Sequence, residues 1–229
     1  MTRIAILETG APPAALVGEY GDYPSMFAAM LGEGFEPEIF DAVNGPLPDG
    51  AAFDGAIITG SPAGVYDDLP WIAPLLEWIR AAKGRTRLVG ICFGHQAMAQ
   101  ALGGHVEKSE RGWGVGLHTY DVAGGEPWMG EAAATVAIPV SHQDQVVVQP
   151  PASRVTIRSG FTPYAGLAYG DDAISFQCHP EFRPAYAGAL LGGRRGRIPD
   201  AMVDAGLASL EQPDDRGVMG GWIRAFLSA

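Results

Sequence analysis

The chain has 229 residues, enough for one large hydrophobic core or one core with a small appendage. Fifteen Lys and Arg against 26 Asp and Glu give a net charge of −11, which argues against a nucleic-acid or anionic-membrane surface. Two cysteines do not make a secreted disulfide framework, and no stretch reaches the roughly 18 apolar residues of a bilayer span, so the cytoplasm is expected.

Taken in order, Ile4 to Leu7 reads as a first strand, because its apolar run stops after four residues and is too short for a signal peptide. Ala11 to Gly21, with Pro12-Pro13, reads as a loop. Tyr23 to Leu31 reads as a helix capped by Asp22, with Pro24 tolerated in its first turn. Pro37 to Phe40 is a second strand, followed by turn-rich Asn44 to Gly50, and Ala56 to Thr59 is a third. Leu69 to Lys83 is an amphipathic helix with Trp71, Leu75, Trp78, Ile79 and Ala82 on one face and Gly84 at its end. Leu88 to Ile91 is a fourth strand. Strands alternating with helices at this spacing imply a mostly parallel sheet covered on both faces, with the chemistry at the strands' carboxyl ends. Gly60-Ser61-Pro62 and Cys92 both lie there.

The second half differs. His105 to Val122, Thr135 to Val140, Val146 to Val148, Val155 to Arg158, Leu167 to Tyr169 and Ala173 to Gln177 read as strands with turn-rich connections, an antiparallel addition to the sheet. Helices are expected at Ala185 to Leu191, Asp200 to Leu210 and Gly217 to Leu227. The segment Gly192 to Arg197 between the first two reads as a mobile linker whose arginines form a solvated basic loop, with acidic-ligand binding as the alternative. No linker divides the chain, so residues 1–229 are expected as one domain with 183–229 as a helical C-terminal extension.

One stretch carries the chemistry. Gly90-Ile91-Cys92-Phe93-Gly94 joins the fourth strand to a helix, Gln96 to Leu102, that two glycines close. This is the form of a nucleophile elbow with cysteine in place of serine. A strand that turns at once into a helix bends sharply at the nucleophile, and small neighbours let the backbone pass close by. The sulfur is pushed out above the sheet edge, toward the first free N–H groups of the helix, which favour a thiolate and later an oxyanion. A lone cysteine ending a core strand is ordinarily structural; the Gly-x-Cys-x-Gly-His-Gln context shifts the reading to a nucleophile.

A cysteine nucleophile needs a base, and the base needs orienting. His179 ends the strand Ile174 to Cys178 and is followed by Pro180-Glu181-Phe182. Residues two apart in an extended segment point the same way, so Glu181 can hold the far nitrogen of the imidazole. His95 falls in the elbow helix and reads as a packing and hydrogen-bonding residue. His142, in a loop, is placed to line the site, while His105 and His118 sit in strands without a motif. Cys178 faces away from His179 and reads as buried structure. No His, Cys, Asp and Glu cluster has metal-ligand spacing, and no metal or other cofactor is expected.

With these pieces on the page, the sequence resembles class I glutamine amidotransferases, nearest in pattern to the glutaminase domain of GMP synthases. Four pieces match in order: Ile58-Thr59-Gly60-Ser61-Pro62, Gly90 to Gln96, Ser141-His142-Gln143-Asp144, and His179 to Phe182. The resemblance covers residues 1 to about 183. It implies a three-layer flavodoxin-like α/β sandwich, and a Cys92-His179-Glu181 triad that cleaves the side-chain amide of glutamine through a thioester. The oxyanion donors would be the N–H groups of Phe93 and Ser61. The family usually has Gly-Gly-Pro where this chain has Gly60-Ser61-Pro62, a change that a backbone donor survives if the serine adopts the needed conformation. By the same resemblance Gly60, Gln96, Gly112, Trp113, Gly114 and His142 would flank the glutamine. Asp144 would either take its α-ammonium or serve only as a turn former.

Residues 184–229 are too few for an ATP-dependent synthetase, and no Gly-x4-Gly-Lys-Ser/Thr loop is present. The chain therefore either supplies ammonia to a separate synthetase subunit or hydrolyses glutamine alone. A γ-glutamyl peptidase acting on glutathione-like compounds would use the same triad, and a pocket open beyond the leaving nitrogen would favour it. A non-catalytic binding module on the same fold is the third reading, against which the intact Cys92, His179 and Glu181 speak.

Overall fold

The computed structural model describes residues 1–130 and 133–229. Four parallel strands form one half of the sheet: β1 (Thr2–Glu8), β2 (Phe35–Asp41), β3 (Gly55–Ile58) and β4 (Arg87–Ile91). The second half adds β5 (His105–Lys108), β6 (Gly114–Val122), β7 (Thr135–His142), β8 (Asp144–Val148), β9 (Ser153–Arg158), β10 (Gly166–Tyr169) and β11 (Ala173–Phe176). Nine of these make one sheet in the order β2-β1-β3-β4-β11-β10-β9-β6-β7. Strand β11 returns parallel beside β4, and the pairs from β11 outward to β7 are antiparallel. The helices are α1 (Ala14–Tyr20), α2 (Tyr23–Leu31), α3 (Ile72–Ala82), α4 (Phe93–Ala101), α5 (Pro184–Gly192), α6 (Asp200–Ser209) and α7 (Arg216–Ser228).

Alternation along the strands makes three layers. Ile4, Ile6, Ile57, Val89 and Ile91 face one side, where α7 buries Met219, Trp222, Ile223, Phe226 and Leu227 against them and α2 adds Phe27 and Leu31. Ala5, Leu7, Ala56, Ile58 and Leu88 face the other, under Leu75 and Ile79 of α3 and Phe93, Ala97 and Met98 of α4. Each fully buried Leu, Ile or Phe contributes about 1.5–3 kcal/mol. Strand β4 is buried on both faces, as a central parallel strand should be. No helix among the described residues is long and apolar enough to cross a membrane.

Three expectations need correcting. The Ala11 to Gly21 loop contains α1, which starts after Pro13 and ends at Gly21, φ 81. None of its residues is fully buried; Leu16 and Tyr20, one turn apart, pack partly buried against the core, a stripe too short to betray a helix in the sequence. Strands β5 and β8 are not part of the main sheet; they pair with each other as a separate antiparallel ribbon. His142 lies at the end of β7, with only Gln143 between it and β8.

The cleft sits where β1, β3, β4 and β11 end. Two contacts lock the elbow there: the Cys92 N–H donates to Phe176 O at 2.8 Å, and the Gly94 N–H donates to Thr59 O at 3.1 Å. Thr59 is fixed in turn by Thr9, whose N–H and hydroxyl meet the Thr59 hydroxyl at 3.0 and 3.1 Å. This packing tolerates no side chain at the bend. A Cβ at Gly90 would lie 2.5 Å from Gly94 O and 2.6 Å from Met98 Sδ, and one at Gly94 would collide with Ile58 O.

We expect Gly94→Ala to lower the free energy of urea unfolding by about 3 kcal/mol or to prevent folding, because backbone has to move. Gly18→Ala, in α1 with nothing within 4 Å of the added methyl, should be neutral or stabilise by up to about 1 kcal/mol.

Candidate active site

Cys92 stands between β4 and α4 with φ 54 and ψ −103. Among the described residues only it and Ala152 combine a side chain with positive φ. Such backbone costs of order 1–3 kcal/mol and persists only where its surroundings hold it; the Phe176 and Thr59 hydrogen bonds on either side are that hold. The residue is buried but reaches a cleft shared with Gly60, Ser61, Pro62, Ser141 and His179.

His179 follows β11 by three residues, and its N–H donates to Pro139 O of β7 at 2.9 Å. Its Nδ1 lies 2.7 Å from Glu181 Oε1. That leaves Nε2 as the nitrogen free to serve Cys92, which is near enough for its charge to act on the imidazole. Gly60 completes the approach: a Cβ there would lie 3.2 Å from His179 Cε1 and 3.7 Å from Cys92 Cβ. Phe182 stacks flat on the imidazole, centroids 3.9 Å apart and planes at 4°, and Tyr186 and Tyr23 brace Phe182 from behind. Burial alone would pull the imidazole's pKa down. The negative charges of Glu181 and Cys92 outweigh it and push His179 up to about 10, so the imidazolium is favoured while both partners are ionised.

Ser61 lines the cleft beside Cys92, and Phe93 follows Cys92 as the first residue of α4. Neither N–H is engaged with another group among the described residues. Beyond them the cleft has two lobes that meet at Cys92. One, of about 310 Å³, is lined by Gln96, Trp113, His142, Gln143 and Asp144. The other, of about 410 Å³, is lined by Pro12, Pro13, Leu16, Tyr23, Phe182 and Leu190. Gln96 donates to Asp144 O at 2.9 Å and to Gln177 Oε1 at 3.1 Å. Asp144 is half-buried, and burial raises its carboxyl pKa while the Tyr66 hydroxyl beside it lowers it. Gly112 and Gly114 do not line either lobe; Gly114 instead lies against the rings of His142 and Phe161.

His95 is buried in α4 and pairs its Nδ1 with Ser175 Oγ at 2.7 Å, away from the cleft. Cys178 is buried against Met219, its Sγ 3.6 Å from the thioether. Among the described residues no group of three His, Cys, Asp or Glu side chains is gathered as metal ligands would be.

Two participants escaped the sequence. Phe182 was visible as the residue after Glu181, but nothing in the spacing marks it as the platform under His179. The sequence reads Arg194 as part of a solvated basic loop, with acidic-ligand binding as the alternative. It is instead half-buried, with Nη1 donating to Ser141 Oγ at 2.5 Å and its guanidinium over the Trp113 ring at 4.8 Å. It borders both lobes. A basic run between two helices carries no signal for which way one arginine turns.

The family model for glutamine amidotransferase class I matches residues 37–191. The chain belongs to the class I glutamine amidotransferase family. Among similar proteins, γ-glutamyl peptidase 3 of Arabidopsis thaliana is 30% identical over 174 residues, 71% of this chain and 70% of the peptidase. A GMP synthase of Thermomicrobium roseum is 31% identical over 137 residues, 60% of this chain but only 25% of that enzyme. The crystal structure of a glutamine amidotransferase from Thermotoga maritima superposes with a TM-score of 0.81 at 16% identity, over 100% of this chain and 99% of the other, which shows the amidotransferase fold.

The imidazoles of this amidotransferase domain make its stability depend on pH. Burial pushes His95 and His142 down to about 3, and shifts His118 in the same direction. Unfolded, each binds a proton near pH 6.5. Stability should therefore fall as pH drops below about 6.5, by up to about 1.4 kcal/mol per pH unit for each histidine kept neutral. His179 acts at the other end: its raised pKa contributes stability fully below about 6.5, lost as pH rises through about 10. Urea unfolding between pH 7 and 5 tests the acid limb, and His142→Asn should flatten it by one proton's worth.

Proposed function

We propose that the protein hydrolyses γ-glutamyl amides through a thioester on Cys92, and that its preferred substrates carry a leaving group larger than ammonia. The reaction follows from the arrangement of groups. The Cys92 thiolate attacks the γ-carbonyl carbon, and the oxygen takes up negative charge facing the Phe93 and Ser61 N–H groups. The C–N bond breaks as the leaving nitrogen takes the proton from His179 Nε2. Water then attacks the thioester, giving its proton back to His179, and glutamate leaves as the thiolate reforms. Glu181 holds the imidazole through Nδ1 and stabilises its charged form.

The observation that carries the choice of substrate is the second lobe. A departing ammonia is about the size of a water molecule, whose share of liquid volume is about 30 Å³. It would occupy little of the roughly 410 Å³ lobe, which Gln96 and Asp144 do not line. The lobe's lining of Pro12, Pro13, Leu16, Phe182 and Leu190 suits the body of an amino acid or short peptide. The similarity to a γ-glutamyl peptidase supports this reading. Release of ammonia from glutamine, passed to a separate synthetase subunit, is the second reading, and the partial match to a GMP synthase favours it. Two free cysteines fit a reducing cytoplasm.

Ammonia from glutamine and free amine from γ-glutamyl dipeptides should be measured side by side. We expect kcat/KM at least about tenfold higher for the dipeptides, the contribution of one well-filled apolar contact. Faster turnover of glutamine would return the protein to the glutaminase class. Cys92→Ala should remove all turnover, and Glu181→Gln should lower kcat by about 10² to 10⁴ with smaller change in KM.

A further inference from the structure

Arg194 lies between α5 and α6 and places its charge at the junction of the two lobes, beside Cys92. Its neighbour Arg195 pairs with Asp200 and Asp204 on the surface. Arg194 is more buried, yet among the described residues no carboxylate pairs with it; its partners are a hydroxyl, Ser141, and an aromatic face, Trp113. Burial lowers its pKa from the usual guanidinium range, the mark of a cation removed from water without an acid to offset the loss. Buried cations are ordinarily matched by an anion. A chain with 26 acidic residues that leaves this cation unmatched beside its nucleophile keeps it for something that is not part of the chain.

The glutamyl lobe has a polar set of its own in Gln96, His142 and Asp144. Arg194 and the exposed Arg197 border both lobes and Trp113 borders the first, while Leu190 and Gly193 wall the second alone. Tyr23, which borders the second lobe and not the first, lies within reach of the guanidinium's charge, as does Cys92. Resting on the γ-glutamyl reading above, we propose that Arg194 is a specificity-determining residue that binds a carboxylate on the leaving amine, so that the substrates are γ-glutamyl amides of amino acids or peptides rather than of neutral amines. A guanidinium suits this role because it keeps two donors for a carboxylate while a third holds Ser141. It also offsets, at the cleft, the repulsion of an anionic substrate by a chain of net charge −11. Arg194 takes no part in the bonds made and broken.

The test compares γ-glutamylglycine with γ-glutamylglycinamide, which differ only in that carboxylate. The wild-type protein should favour the acid in kcat/KM by about tenfold or more, the range of a charge-assisted hydrogen bond. In Arg194→Gln that ratio should fall close to one, and in Arg194→Lys part of it should remain. A wild-type ratio near one overturns the proposal without any variant. So does a ratio that survives in Arg194→Gln, or an equal loss on both substrates, which would assign the arginine to the glutamyl carboxylate. If the wild-type protein cleaves neither compound nor glutamine, the amidase reading itself has failed and the proposal goes with it; cleavage without discrimination sinks the proposal alone.

Discussion

A cysteine held at φ 54 is the constraint around which this molecule is arranged. The conformation puts the sulfur at the end of β4, clear of both the strand it leaves and the helix it enters. Its cost is offset by ordinary means: one hydrogen bond to the neighbouring strand, another to the loop after β3, and two glycines where any Cβ would strike backbone or Met98. The strain is local, but the support is spread over β3, β4, β11 and α4. Loosening any of them would let the bend relax and carry the thiol away from His179.

The mixed sheet explains how residues 87 positions apart come together (179 minus 92). The parallel half ends all its strands at one edge, which brings Thr9, Gly60 and Cys92 side by side. The antiparallel half extends the same sheet from its far edge at β7 back to β11 next to β4, so the residues just past Phe176 arrive on the same edge. His179 is then pinned from three directions, by Pro139 O at its backbone, by Glu181 at Nδ1 and by Phe182 across its face. Only Nε2 is left, and it faces the cleft. The electrostatics follow from this enclosure, since two anionic neighbours at close range overcome the burial that drives His95 and His142 the other way.

What could be read in advance was whatever local chemistry alone determines. Gly90-x-Cys92-x-Gly94 announces its bend because no other pattern of residue sizes fits there. The Asp22 cap, which accepts from Ser25 N–H at 2.8 Å, and the buried face of α3 are equally local. His179 and Glu181 do meet, but through a turn closed by the Phe182 N–H on His179 O at 3.3 Å and not by alternation along an extended backbone. The failures have a common cause in tertiary packing. Helix α1 packs only Leu16 and Tyr20, both partly exposed, against the core and so leaves little periodic trace. The ribbon of β5 and β8 differs from a main-sheet pair only in its neighbours. Gly112 and Gly114 came from the resemblance and not from any force in this chain, and only Trp113 between them meets the cleft. Arg194 turned inward because Ser141 and Trp113, more than fifty residues earlier, offered it a place.

On the proposed mechanism Cys92, and no other group, carries the acyl chain. Acid-quenching the protein during turnover of a γ-glutamyl dipeptide, then weighing its peptides, tests this most directly. One γ-glutamyl group should appear on the peptide containing Cys92 and be lost in His179→Gln. An adduct on Cys178 instead, or undiminished turnover by a Cys92→Ala protein, would contradict it.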